Sequence, residues 1–443
     1  MAEFSQKLDL PVLSRLDLLF RPGGSLFFGW WIVGIAALVQ FQGALLWMQA
    51  YGAYTVLFQN EFGWSMTLLS GAFALTRIES GLLGPLQGWM VDRYGPRLIL
   101  TIGLGMFGIG FLILTQVQTL LSYYLIVFLI SVGVSLGGFH TLMVSIVNWF
   151  NRHRTKAVAF AQIGYSLGGL CVPIVAYGLE HQGWRFMSVV SGGMVLLLGI
   201  PLVQWIRHRP GEIGEEVDGG LPVSNRKEIT VSTVTDQSST WRQAVKTSSF
   251  WYISFGHGIA LLTVSAVMVH LIPHLTFGLG LSLTNASIVF SSISIFQLLG
   301  LLAGGYLGDR FNKRWICILC MISHGAGMLF LAYFEDFPLL IGFSMFHGLA
   351  WGIRGPQMVA IRADYFGPHS FGRIMGISSI IVMFGMIGGT MICGIIFDLH
   401  GNYLLAFKII ALCSILGGSC FFFARKPDFQ HSLLNPDRRL QQF

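Results

Sequence analysis

Charged residues make up 11% of this chain, against roughly 25% in a soluble domain. So few charges cannot cover the surface of a water-soluble globule, so lipid must be part of the solvent. Extended polar stretches are scarce too. The one clear case is 208–246, too short for the sizeable output domain that a membrane sensor would need. No Gly-x-x-x-x-Gly-Lys-Ser/Thr loop occurs, which removes the usual route to nucleotide-driven work. The cysteines number only six: Cys171, Cys317, Cys320, Cys393, Cys413 and Cys420. All fall inside apolar runs, and no disulfide is expected. Cys317 and Cys320 have the spacing of a redox or metal pair, but no second ligand pair is near, so they read as two small apolar residues on a membrane helix. Neither a nucleophile–base set nor three metal ligands stands out. The expectation is therefore no enzyme, no metal and no cofactor.

What is present is apolar. The hydrophobic fraction is 54% and the mean hydropathy +0.68. A bilayer crossing takes about 20 mostly apolar residues. Twelve such runs are predicted, over 28–58, 65–91, 97–118, 121–150, 155–179, 185–207, 247–277, 284–308, 314–334, 338–366, 371–399 and 403–424. The fold class is thus an all-α membrane protein with twelve transmembrane helices in two six-helix bundles. Trp30, Trp31, Trp64, Trp184 and Trp251 fall near predicted ends, where amphipathic rings prefer the interface. The first run is too long for a signal peptide and lacks a small-residue cleavage site, so it reads as retained.

The net charge of +7 raises nucleic-acid binding, but the placement of the cations argues against it. Loops after even-numbered runs hold Arg93, Arg97, Arg152, Arg154, Arg310, Lys313, Arg314 and Arg373, whereas the opposite loops hold almost none, Arg185 excepted. That is the positive-inside pattern, with both termini cytoplasmic and a multi-pass plasma membrane, such as the bacterial cytoplasmic membrane, as the setting.

One loop occurs twice. Gly88-Trp-Met-Val-Asp92-Arg93-Tyr94-Gly95-Pro96-Arg97 is echoed by Gly305-Tyr-Leu-Gly308-Asp309-Arg310-Phe311-Asn312-Lys313-Arg314, 217 residues on. Sliding 65–97 onto 282–314 needs no gap and matches Ser65/Ser282, Thr67/Thr284, Ser70/Ser287 and Phe73/Phe290 among others. Glu180-His-Gln-Gly183 likewise echoes Asp398-Leu-His-Gly401, and Gly133…Gly137 echoes Gly348…Gly352. Echoes in one order mean duplication. The expected organisation is a lead over 1–27, a bundle over 28–207, a cytoplasmic linker over 208–246, a second bundle over 247–424 and a tail over 425–443. Duplicated membrane halves place a binding site at their interface.

The Gly-x-x-x-Asp-Arg-x-Gly-x-Arg loop, its weaker copy, the run count and the linker together resemble the major facilitator superfamily over about 28–424. More narrowly, Tyr51-Gly52, Phe58, Glu61-Phe62-Gly63-Trp64-Ser65, His270-Leu-Ile-Pro273-His274 and Asp364-Tyr365-Phe366-Gly367 are similar to stretches of the monocarboxylate and oxalate/formate-type group. That group carries an arginine in span eight, eight residues before the loop aspartate, which holds the substrate carboxylate; here the position is Leu301. The resemblance implies that Gly88, Asp92, Arg93, Gly95 and Arg97, with Asp309, Arg310 and Arg314, latch the two bundles on the cytoplasmic side. Asn312 replaces Gly95 in the second copy and is expected to supply the same left-handed turn. It also implies a cavity lined by spans one, four, seven and ten. The Gly-Pro pair of the superfamily's drug antiporters is missing from Gly164-Tyr-Ser-Leu-Gly168-Gly169 in span five.

A mid-span charge costs about 2.5–3.5 kcal/mol on insertion scales, so such residues face a cavity or a partner. Arg354, in Trp351-Gly-Ile-Arg354-Gly355-Pro356-Gln357, is the first candidate for holding an anion, with Gln357 on its face. Arg77, His140 and His257 are the further substrate candidates, and Glu79 is the candidate proton carrier. His270 and His274 read as polar anchors at a span end. The functional expectation is an alternating-access secondary transporter, monomeric, carrying a small monocarboxylate-like anion with protons. The alternatives are efflux of neutral or amphipathic compounds and a non-transporting sensor.

Overall fold

The computed structural model describes residues 27–150, 153–219, 240–367 and 371–427. The expected lead and tail, and the centre of the expected linker, lie almost wholly outside them. Helix dominates. α1 spans Phe28–Phe62, α2 Met66–Tyr94, α3 Pro96–Leu114 and α4 Leu120–Trp149. Arg154–Leu170 and Val172–Met194 run on to Val203 with a kink at Gly183, giving α5 before the kink and α6 after it. The second half holds α7 (Ser248–Gly278), α8 (Leu283–Arg310), α9 (Lys313–Tyr333), α10 (Phe337–Phe366), α11 (Phe371–His400) and α12 (Leu404–Phe423). Nine described helical stretches are long and apolar enough to cross a membrane, and one of these, Lys156–Val203, holds two crossings. The two long helices outside that set are α2 and α10, which carry Arg77 and Glu79, and Arg354 and Arg362. Twelve crossings result.

Local chemistry sets the boundaries, twice over. Ser65 caps α2 by accepting from the Leu68 amide at 3.3 Å, and its repeat partner Ser282 caps α8 through Asn285 at 3.1 Å. The first signature loop turns at Gly95, whose φ of +82° excludes a side chain at little cost only for glycine. The second does not copy it. Asn312 has φ −65° and accepts from the Arg314 amide at 3.0 Å, so it is the N-cap of α9 rather than a left-handed residue. Arg185, the exception among the far-side loops, pairs with Glu61 at 2.6 Å, and Glu61 also accepts from Trp184 Nε1 at 2.5 Å.

Packing repeats across the halves. α1 lies on α5 as α7 lies on α11, and α3 lies on α6 as α9 lies on α12. The echoed glycines diverge. Gly133 and Gly137 let α4 press on α3 at Gly103 and Phe107, whereas Gly348 and Gly352 let α10 press on α8 at Ile293, Gln297 and Leu301. A Cβ at Gly348 would lie 2.6 Å from the Ile293 carbonyl oxygen. Gly348→Val is therefore expected to destabilise the second bundle by about 1–3 kcal/mol. An unchanged melting temperature for the purified variant would contradict that close approach.

The two halves meet mainly toward the face opposite the signature loops. Asp398, at the end of α11, accepts from the Met66 and Thr67 amides at the start of α2, at 2.9 and 2.8 Å. Glu180, at the end of α5, accepts from the Thr284 amide at 3.0 Å and its hydroxyl at 2.5 Å, at the start of α8. The sequence echoes Glu180/Asp398 and Thr67/Thr284 are thus one contact made twice. His270 adds a buried bridge. Its Nε2 lies 3.0 Å from Ser70 Oγ of α2 and 2.9 Å from the Thr390 carbonyl oxygen of α11, and its Nδ1 lies 3.2 Å from the Tyr403 hydroxyl. This residue is no interfacial anchor; it joins the two bundles.

Candidate functional site

Between the bundles, from mid-span toward the signature-loop side, lies a cavity of about 460 Å³. Its N-terminal wall comes from α1 to α5, and its C-terminal wall from Gln297 and Leu301 of α8 with Trp351, Gly352 and Gly355 of α10. α7, which the family resemblance places in the lining, contributes no lining residue. Two helix irregularities shape the wall. α1 widens into a π-turn over Ala44–Met48, which presents Ala44, Trp47 and Met48. α4 breaks at Gly137 and Gly138, and both line the space.

Arg77 reaches the cavity, and among the described lining residues it carries the one permanent charge. Its Nε donates to Thr76 Oγ1 at 3.2 Å, its Nη2 contacts Met48 Sδ at 3.4 Å, and its guanidinium carbon lies 4.8 Å from the Phe73 ring centre. None of these neighbours is an anion, and no ion pair of Arg77 occurs among the described residues. His140 stands on the same wall.

Glu79 lies one layer behind. It is 5% exposed, and its Oε2 accepts from Ser131 at 2.6 Å, Ser135 at 3.1 Å and Ser80 at 3.2 Å. Those three serines themselves line the cavity. Oε1 is buried without a partner. Arg77 and Glu79 do not pair, because two residues step about 200° around a helix.

The other substrate candidates lie elsewhere. Arg354 is 1% exposed and does not line the cavity. At about 100° per residue, it points roughly a third of a turn from the face that carries Trp351, Gly352 and Gly355. It is turned into the C-terminal bundle, toward α9. Gln357 is nearly opposite that face; its Nε2 donates to the Gly304 carbonyl at 2.7 Å and ties α10 to α8. His257 accepts at Nδ1 from Arg362 Nη2 at 3.2 Å, also inside the bundle. In this conformation the structure brings Arg77 and His140 together at the cavity and separates them from Arg354, Gln357 and His257.

The signature loops make no described hydrogen bond between bundles. Arg97 Nε donates to Gln204 at the end of α6 at 2.9 Å. In the repeat, Arg314 donates to the Phe421 carbonyl at 3.0 Å and to that of Phe422, at the end of α12. Arg93 packs over Trp89 and Tyr94, and Arg310 over Tyr306. Gly88 has open space at its Cβ position. The side chains of Asp92 and Asp309 are not among those described.

The sequence reading passed over several lining residues. Gln162, Tyr165 and Ser166 of α5 face the cavity, with Gln40 and Trp47 of α1. Gln162 and Ser166 are a polar pair at i,i+4 on an apolar span, a signal that could have flagged that face.

A family model described as Major Facilitator Superfamily matches residues 25–273 and 253–440. The chain belongs to the Major Facilitator Superfamily. The transporter is 23% identical over 442 residues to monocarboxylate transporter 12 of Mus musculus, covering 93% of this chain and 88% of that one. It is 25% identical over 401 residues to a probable L-galactonate transporter of Escherichia coli, covering 83% of each. Among solved structures, nucleoside transporter NupG superposes with a TM-score of 0.69 at 13% identity, covering 90% of this chain and all of that one. A bacterial homologue of the lysosomal transporter Spinster, inward-facing and occupied, superposes with a TM-score of 0.67 at 15% identity, covering 90% and 96%. The transporter therefore has the twelve-helix fold of its superfamily, spans the membrane many times and is not an enzyme.

Proposed function

We propose that this transporter carries a small organic monoanion, monocarboxylate-like in its head group, by alternating access and with proton coupling. The observation that carries this reading is the unpaired Arg77 guanidinium on the wall of an inter-bundle cavity without a lining carboxylate. A planar guanidinium offers a forked set of donors to a carboxylate. Leu301, at the position where the resembling group has its arginine, lines the same cavity. The cation is thus supplied from α2 instead of α8. Trp47, Phe107, Phe139 and Trp351 give the cavity apolar surface for an organic body. Two relatives named for monocarboxylate and galactonate transport, both anions, support the same class.

Protons enter through Glu79. A carboxyl group one serine layer from the cavity, with no cation bonded to it, is well placed to take up a proton when an anion sits at Arg77. His140, on the cavity wall itself, is a further candidate for carrying the proton. In this reading the signature-loop face is cytoplasmic, with both termini and the 208–246 linker on that side, and the cavity is open inward. The latch of Asp92, Arg93, Arg97, Asp309, Arg310 and Arg314 then forms when the bundles rock outward.

Uptake of labelled monocarboxylates and dicarboxylates into proteoliposomes under an imposed pH gradient tests the proposal. Accumulation of a monocarboxylate, competed by other carboxylates and not by neutral amphiphiles, is expected. Competition by neutral amphiphiles alone would overturn it in favour of efflux-type transport. Glu79→Gln is expected to keep substrate exchange while abolishing gradient-driven accumulation; undiminished accumulation would remove Glu79 from the coupling role.

A further inference from the structure

The interior of the C-terminal bundle holds a cationic cluster that the central cavity does not use. Arg354 is 1% exposed, and its Nε and Nη1 have no hydrogen-bond partner. Its electrostatic neighbours include Cys317 and Cys320 of α9, and His324 and His347. His347 is seven residues before Arg354, so it stands on the same face of α10. The Nδ1 atoms of His324 and His347 are 3.2 Å apart, and both rings are wholly buried. One ring must donate through Nδ1 and the other accept there. The accepting ring is neutral and carries its proton on Nε2. Both Nε2 atoms are buried without a partner. At least one imidazole N–H therefore joins the two orphaned guanidinium positions of Arg354.

Arg362 adds a second buried guanidinium. Three of its N–H donors are used, by the Met358 carbonyl at 2.8 Å, Ser378 Oγ at 2.7 Å and His257 Nδ1 at 3.2 Å, and every one of those acceptors is neutral. The acids of residues 247–424, namely Asp309, Glu335, Asp336, Asp364 and Asp398, all stand at helix ends. Asp364 pairs with Lys313 at 2.8 Å, and Asp398 caps α2. Thiols are weak acceptors. The cluster thus has an excess of positive charge and of N–H donors, and among the described residues no carboxylate is bonded to it. A charge held away from water needs a counter-charge.

We propose that Arg354, with the Nε2–H of the His324–His347 pair, binds a small inorganic monoanion of halide size inside the C-terminal bundle. The site is separate from the transport cavity. Trp351 lines that cavity and lies 6.2 Å, centre to centre, from the His347 ring, so it forms the partition. Buried apolar residues on the same helices, such as Ala350 one turn before Arg354 and Met321 next to Cys320, suit a bare ion rather than an anion with an organic body. The anion neutralises the one strongly cationic stretch of α10 and joins α9 to α10 where the two imidazoles meet.

The test uses purified full-length protein in detergent at constant ionic strength, with isethionate exchanged for chloride or bromide. The melting temperature is expected to rise saturably, by about 2 °C or more, with either halide. Arg354→Met and His347→Leu are each expected to abolish the rise, and Arg77→Ala to retain it, which separates this site from the carboxylate site. Should Arg354→Met not fold, His347→Leu carries the test alone. A crystal grown in bromide is expected to show anomalous scattering beside Arg354. Equal melting in isethionate and chloride, a rise matched by sulfate at the same ionic strength, or a halide effect that persists in the folded variants would overturn the proposal.

Discussion

Uptake of a monocarboxylate by the Arg77→Ala variant is expected to fall roughly tenfold to a hundredfold, since hydrogen bonds to a charged group contribute about 1.5–3 kcal/mol. The loss should appear as weaker substrate affinity. Arg77 stands on the cavity wall, held by Thr76, Met48 and the Phe73 ring and by no ion pair among the described residues, so its removal is expected to leave the fold intact while deleting the anion's partner. Arg77→Lys keeps the charge but not the fork, and an intermediate loss is expected. Counterflow of labelled substrate in proteoliposomes measures both. Wild-type affinity in Arg77→Ala would show that the carboxylate is held elsewhere. Because Arg354 lies inside the bundle, this measurement tests Arg77 against the arginine that the sequence ranks first.

The second large effect concerns the closed face. The double variant Glu180→Gln, Asp398→Asn is expected to shift the protein toward the conformation that is open on the far side. Each carboxylate caps a helix start in the other bundle, where backbone amides and the helix dipole both favour a negative charge. Such a contact is worth about 0.3–1 kcal/mol when exposed and up to about 2 kcal/mol when partly buried. Losing the charge at both gates moves a two-state equilibrium by roughly tenfold. The side-chain carbonyls of Gln and Asn still accept from the same backbone amides, so the helices themselves should persist. Spin labels at Gln118 and Glu335, exposed on the far-face loops of the two bundles, report the change as a new long-distance population. An unaltered distance distribution would mean that the bridge through His270 and the close packing of α2 on α11 hold that face without the carboxylates.

The fold was legible because its signals are local. Length and apolarity of each run define a crossing, Ser65 and Ser282 mark helix starts, and the doubled loop announces the duplication. The echo of Glu180 in Asp398 was also visible, although what it meant was not: its partners lie in the opposite bundle, 332 residues away for Asp398 and Met66. The site was legible only in part. Arg77 and His140 were named and do face the cavity. Arg354, Gln357 and His257 are polar residues on spans seven and ten, which the family resemblance places in the lining, yet in this conformation they face into their own bundle.

That division has one physical cause. In water, an amphipathic stripe shows which side of a helix is inward. A membrane span is apolar all round, since lipid accepts the side that water would reject, and its sequence leaves the rotation about its own axis unmarked. The sequence by itself therefore determined how many helices there are, about where each lies, and that the second six repeat the first. Only the tertiary structure, by fixing the turn of α2 and α10 against their neighbours, decided which buried arginine meets the cavity and which is enclosed among histidines.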